Sequence, residues 1–206
     1  FNTNPVGTGA FKFVSYAPKV NIKLEANAEY WGGAPKLSEL DYRFISEPAT
    51  AVAELQAGRV DLVIPPTIPI GMLPVIQGDS NLEIVSVPGP TVDALRFNTR
   101  DGITKDPKVR KAIIMAVDRA TIVKSILAGQ GSEIASFQGE LSFGFDPELK
   151  SLPYDPEGAK KLLAEAGVKP GSTVQIDIRG NDATMNEVTQ VIASYLQMVG
   201  ITATIK

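Results

Sequence analysis

The feature that most restricts this chain lies at its end. Val174, Ile176 and Ile178 alternate with polar residues, as in a strand with one buried face. Val188, Val191, Ile192, Tyr195, Leu196 and Val199 then keep the three-to-four spacing of a single helix face. Thr184 with Glu187 reads as a capping box that opens this helix, and Gly200 stops it. Residues 201–205 alternate again. Strand, helix and strand joined this tightly make a β-α-β unit with parallel strands, because the crossover returns the chain to the same end of the sheet. The class is therefore α/β.

Upstream, period-two alternation predicts antiparallel strands. Phe11, Phe13 and Ser15 alternate with Lys12 and Val14. Ile22, Leu24 and Ala26 do so after a turn near Pro18, and Leu40, Tyr42 and Phe44 form a third run. Ser46 reads as the cap of a helix with Glu47 and Pro48 in its first turn. Ala49, Val52, Ala53 and Gln56 trace its face, and Gly58 ends it. Residues 60–64, 82–87 and 91–98 read as further strands, with breaks at the prolines of 65–69 and at Pro88-Gly-Pro90.

After that break helices alternate with strands. Asp106, Asp118 and Asp155 are expected N-caps, two of them followed by proline. Val109, Ala112, Ile113 and Ala116 line one helix; Ile122, Val123 and Ile126 another; Ala159, Leu162, Leu163 and Ala166 a third. Residues 130–153 have no period and read as a structured loop. The shift near Pro90 places a boundary between residues 1–90, mixed β with one helix, and residues 91–206, α/β.

Composition excludes several functions. With no Cys and no His, the chain lacks thiol nucleophiles, Ser-His pairs and zinc sites built from nitrogen or sulfur ligands. A net charge of −3 without a basic run argues against nucleic acid. The apolar stretch 60–76 is broken by Asp61, Gly71 and four prolines, so it is not a membrane span. No cofactor is expected. Carboxylates fall at helix starts or on helix surfaces, where the free N–H groups already account for them. Gly7-Thr8-Gly9 lacks phosphate-loop spacing and reads as a turn. Tyr30 and Trp31 read as packing before the Gly32-Gly33 turn.

Two places suit a ligand. Asn181 and Asp182 lie past the end of strand 174–178 and before a helix N-terminus. They either meet a ligand there or only shape the turn. Asp93 and Arg96 interrupt the strand 91–98 at odd spacing, so they lie on opposite faces. One faces a polar crevice and the other solvent; the Arg fork suits a carboxylate.

Five stretches, taken in order, resemble one family. They are Asn-Pro-Val-Gly-Thr-Gly-Ala-Phe-Lys-Phe at 4–13; Leu-Glu-Ala-Asn at 24–27 with Tyr-Trp-Gly-Gly at 30–33; and Leu-Gln-Ala-Gly-Arg-Val-Asp at 55–61. Phe-Asn-Thr at 97–99 runs into Asp-Pro-Lys-Val-Arg-Lys-Ala-Ile at 106–113 and Asp118-Arg119. The last is Tyr-Asp-Pro-Glu at 154–157 with Ala-Lys-Lys-Leu-Leu-Ala-Glu-Ala-Gly at 159–167. The chain resembles the oligopeptide, dipeptide and nickel-binding class of solute-binding proteins that serve ABC importers.

The resemblance implies a partial periplasmic-binding-protein-like fold of the peptide-binding type, in which two α/β lobes close on a solute. Residues 1–90 would belong to the first lobe and 91–206 to the second, as a middle fragment of a longer protein. The acidic residue that holds a peptide amino terminus in peptide-binding members would lie downstream. Carried over by segment, the pocket positions are Pro66 and Thr67; Thr91, Ala94 and Arg96; and Asn181 and Asn186. Family members often have Tyr in the strand at 91–98, where this chain has Asp93, Ala94 and Leu95. The implied partners are a small solute (oligopeptide, opine, metal chelate or similar) and an ABC permease. The resemblance also implies a monomeric, non-enzymatic protein in the periplasm or outside the cell, free or lipid-anchored. A carboxylate-dependent hydrolase and a receptor or chaperone sharing the fold are the alternatives.

Overall fold

The computed structural model describes residues 5–64, 68–178, 180 and 182–206. The chain is mixed α/β and divides into two units, Phe1–Ile68 and Pro69–Lys206.

The first unit is built on three antiparallel strands, β1 (Phe11–Ala17), β2 (Asn21–Ala26) and β3 (Glu39–Arg43), in that order across the sheet. Phe13, Leu24 and Leu40 stand opposite one another, and Tyr16, Ile22 and Tyr42 form the next row. Simple alternation puts Ser15 in that second row. The register instead slips between Phe13 and Ser15, leaving Val14 without a cross-strand partner. This bulge turns Tyr16 onto the face of Phe13. Its ring meets Phe44 edge to face, 6.3 Å between centroids.

Helix α1 (Pro48–Gln56) follows. Its N-cap is Glu47 rather than Ser46, with Pro48 at the first turn and no side-chain cap bond. The buried face is also different from the expected one. Ala51 and Val52 are buried and Leu55 half-buried, while Ala49, Ala53 and Gln56 are exposed. Alanines on every side make the phase ambiguous in sequence; the large apolar pair Val52 and Leu55 decides it. Glu54 fastens the helix to its neighbours. Arg59 Nη2 and Nε donate to Glu54 Oε1 at 2.7 and 3.0 Å, and Arg43 Nη1 donates to Oε2 at 3.0 Å. Arg43 Nη1 also donates to the Arg59 carbonyl at 3.2 Å.

The Tyr-Trp-Gly-Gly turn has a steric cause. A Cβ on Gly32 would sit 2.7 Å from the Tyr30 ring, so a larger residue there would have to displace that ring. Trp31 tilts against Tyr30 at 5.1 Å but remains 83% exposed, so it is not the packed residue expected.

The second unit carries the main core. Helices α3 (Pro107–Ala116), α4 (Arg119–Ser125), α5 (Pro156–Glu165) and α6 (Ala183–Met198) join strands β4 (Ser172–Ile176) and β5 (Ile201–Ile205). A short helix α2 (Leu73–Gln77), unforeseen in sequence, precedes them. The expected caps form. Asp106 accepts from Lys108 N, Asp118 from Thr121 N and Asp155 from Gly158 N. Helix α6 differs: its cap is Asp182, which accepts from Met185 N, so Thr184 lies inside the first turn.

Strands β4 and β5 are parallel, with Ser172 opposite Ile201 through Ile176 opposite Ile205. The ladder runs on as Ile178 N donates to the Lys206 carbonyl at 2.8 Å. Val109, Ala112, Ile113, Leu163, Leu196 and Ile201 form the buried centre, against which Phe97, Val174, Ile176 and Val188 pack.

Three expected strands do not form. Residues 60–64, 82–87 and 91–98 have no ladder partner among the described residues. An apolar run reports a tendency to be buried, whereas a strand also needs a neighbour for its N–H and C=O groups. Leu62, Val85 and Val87 are each at least 75% exposed, which is what such a run becomes when nothing lies alongside it.

Candidate functional site

Residues 91–98 have no regular secondary structure and lead into an anchored end. Phe97 packs on the core. Asn98 then closes a turn: its Oδ1 accepts from Arg100 N at 3.0 Å, and its carbonyl accepts from Thr104 Oγ1 at 2.7 Å. This gives the Phe-Asn-Thr stretch a local role. It fixes the end of a segment whose Thr91, Asp93, Ala94 and Arg96 side chains are exposed. Among the described residues Arg96 forms no ion pair. Its guanidinium is available to an outside acceptor.

Asn186 lies in the first turn of α6, half-buried. Its Nδ2 donates to the Asp182 carbonyl at 2.9 Å, so it holds the turn. Phe97, at the end of the exposed segment, and Ile176 and Val188, in β4 and α6, pack on the same core. Pro66, Thr67 and Asn181 lie outside the described residues.

Sequence reasoning missed two adjoining hollows in the second unit. One, of about 320 Å³, is bounded by Asp118, Arg119, Glu133, Leu152 and Tyr154. The other, of about 250 Å³, lies within the loop that follows and shares Glu133 and Ser151 with the first. The only signal was the Asp118-Arg119 pair at the start of a helix. Hydrogen bonds from Thr121 N and Oγ1 hold the Asp118 carboxyl below the usual aspartate range. Burial pushes the Tyr195 phenol up, and the nearby Asp118 charge adds to this. Among the described residues no group of three or more Asp and Glu side chains is arranged to hold a metal ion. No described helix is long and apolar enough to cross a membrane.

Residues 1–206 match the model of the bacterial extracellular solute-binding proteins, family 5 Middle. The chain belongs to this family. Among the relatives of this family-5 chain is heme-binding protein A of Haemophilus influenzae. It is 30% identical over 204 residues, covering 97% of this chain and 37% of the relative. The dipeptide-binding protein of Escherichia coli is 30% identical over 173 residues, covering 84% of this chain and 32% of the relative. The family-5 chain thus spans less than two-fifths of either.

Solved structures agree on the fold. NikZ from Campylobacter jejuni in complex with Ni(L-His) superimposes with a TM-score of 0.82 and 28% identity, covering 100% of this chain and 43% of that one. DppA from Helicobacter pylori in complex with the peptide STSA gives 0.74 and 27%, covering 98% and 39%. The family-5 chain therefore has the mixed α/β fold of part of a periplasmic binding protein of the peptide and nickel type. The relatives are named as binding proteins, not enzymes.

Proposed function

We propose that this chain belongs to the substrate-binding component of an ABC importer and helps capture a peptide or similar small solute for uptake. The family match over residues 1–206 carries this reading. The named cargoes of the relatives, which include heme, dipeptide and a nickel–histidine complex, set the range of solutes. The protein acts without catalysis or a resident cofactor, as a monomer in the periplasm or outside the cell, free or lipid-anchored. It delivers its solute to a membrane permease.

Capture would proceed by closure of two lobes, residues 1–90 in one and 91–206 in the other. Closing excludes water and strengthens each polar contact with the solute. On this reading Thr91, Ala94, Arg96 and Asn186 are solute contacts, as are Pro66, Thr67 and Asn181. Arg96 holds a carboxylate of the solute, as its planar fork of donors favours. Peptides and amino-acid chelates carry such a group.

Replacing Arg96 with Ala in the intact protein tests this. A charge-assisted hydrogen bond contributes about 1.5–3 kcal/mol, so calorimetry with a bound peptide or chelate should show affinity falling about tenfold to a hundredfold. Unchanged affinity would remove Arg96 from the site.

A further inference from the structure

Arg119, the first residue of α4, meets both ends of one loop. Its Nη2 donates to the Leu152 carbonyl at 2.6 Å, and its Nε lies 3.1 Å from a Glu133 carboxylate oxygen. The second is a contact of charges. Nε is buried and has no aligned hydrogen-bond acceptor among the described residues. Between these anchors, residues 134–151 include no buried side chain. Their hydrogen bonds among the described residues are local: Ser136 with Gln138, Ser142 with Gly139, Phe145 with Ser142, Glu148 with Asp146, and Lys150 with Pro147. A hollow of about 250 Å³ lies within the loop itself. Segments with so little burial and only local bonding open at low free energy, as a unit.

The loop also passes beside the candidate binding stretch. A Cβ built on Gly139 would lie 3.9 Å from Val92 Cγ2. Val92 is half-buried, while Thr91 and Asp93 beside it are exposed.

We propose that residues 134–151 form a strap, clasped by Arg119 through Glu133 and Leu152, that opens as one unit and uncovers Val92 in the stretch carrying Thr91, Ala94 and Arg96. Opening adds the apolar Val92 beside Thr91, Ala94 and Arg96, whose side chains are already exposed; what this does for binding rests on the function proposed above. The clasp itself does not.

The test uses hydrogen exchange on the intact protein, as wild type, Glu133→Ala and Arg119→Lys. A partly exposed ion pair has modest strength, so peptides from 134–151 should exchange roughly threefold to fivefold faster in Glu133→Ala, while α3 and α5 keep their protection. Arg119→Lys keeps the charge but loses the fork that spans both anchors, and should give the same selective change. The chain has no cysteine, so Val92→Cys introduces a single thiol within it. Maleimide should label that thiol faster when Glu133→Ala is also present.

Unchanged exchange over 134–151 in both variants would overturn the clasp, as would acceleration that spreads through α3 and α5. A faster strap with an unaltered Val92→Cys labelling rate would overturn the cover. Neither readout uses a solute, so failure of the strap and failure of the binding function are separable.

Discussion

At the residue scale, single side chains set geometry that composition does not reveal. The hydrogen bonds from Arg59 and Arg43 hold the Glu54 carboxyl below the usual glutamate range. A carboxylate with a lowered folded pKa contributes fully above its ordinary pKa, and that contribution is lost as pH falls through the folded value. Scanning fluorimetry should therefore find wild type losing more melting temperature than Glu54→Gln on acidification below the ordinary glutamate range. At neutral pH the variant should melt a few degrees lower.

Gly158 makes a second case. A Cβ there would lie 2.9 Å from Met115 Cε and would also collide with the Asp155 cap carboxylate. Alanine gains at most about 1 kcal/mol of helix propensity, and less in a first turn. Crowding costs about 1–3 kcal/mol and threatens a cap of similar strength. Urea denaturation of Gly158→Ala should show a net loss of about 1–2 kcal/mol. No sequence pattern announced this glycine, because the contact depends on α3 approaching α5. The Val14 bulge was hidden for the same reason: the slip belongs to the pairing with β2, not to the run Phe11–Ala17.

At the scale of elements, the legible parts were those whose stability is local or amphipathic. Helices α3, α5 and α6 bury the expected faces, because large apolar residues repeat without ambiguity. Leu196 is 2% exposed at the centre of that core. Leu196→Ala should cost about 3 kcal/mol in chemical denaturation, combining lost transfer energy and a cavity. The Asp182 cap should contribute about 1 kcal/mol, so Asp182→Ala should shorten the protected length of α6 in hydrogen exchange. Thr184→Ala should not, since the helix has already begun before it. The sequence placed that cap two residues late because two plausible caps stand two residues apart, and spacing alone does not rank them. The segments 60–64, 82–87 and 91–98 went wrong for a different reason. Their apolar runs are real, but pairing is a property of neighbours, which no local window contains.

At the scale of the molecule, the parallel β4–β5 ladder and the family were both readable, the first from period and the second from five stretches in order. Thr91, Ala94 and Arg96 do share one exposed segment, and Asn186 does start α6, but Asn186 spends its amide on the Asp182 carbonyl. Which polar groups remain free for a solute depends on such bonds, and these emerge only after folding. The strap over Val92 was equally hidden, since residues 134–151 lack any period. All of this bears on one claim, that the protein holds a small solute reversibly. Native mass spectrometry of the intact protein, titrated with short peptides, a nickel–histidine chelate and heme, measures it directly. The account predicts a one-to-one, non-covalent mass increase with at least one of these that vanishes on denaturation and weakens in Arg96→Ala. A folded protein that gains no mass from any of them would contradict it.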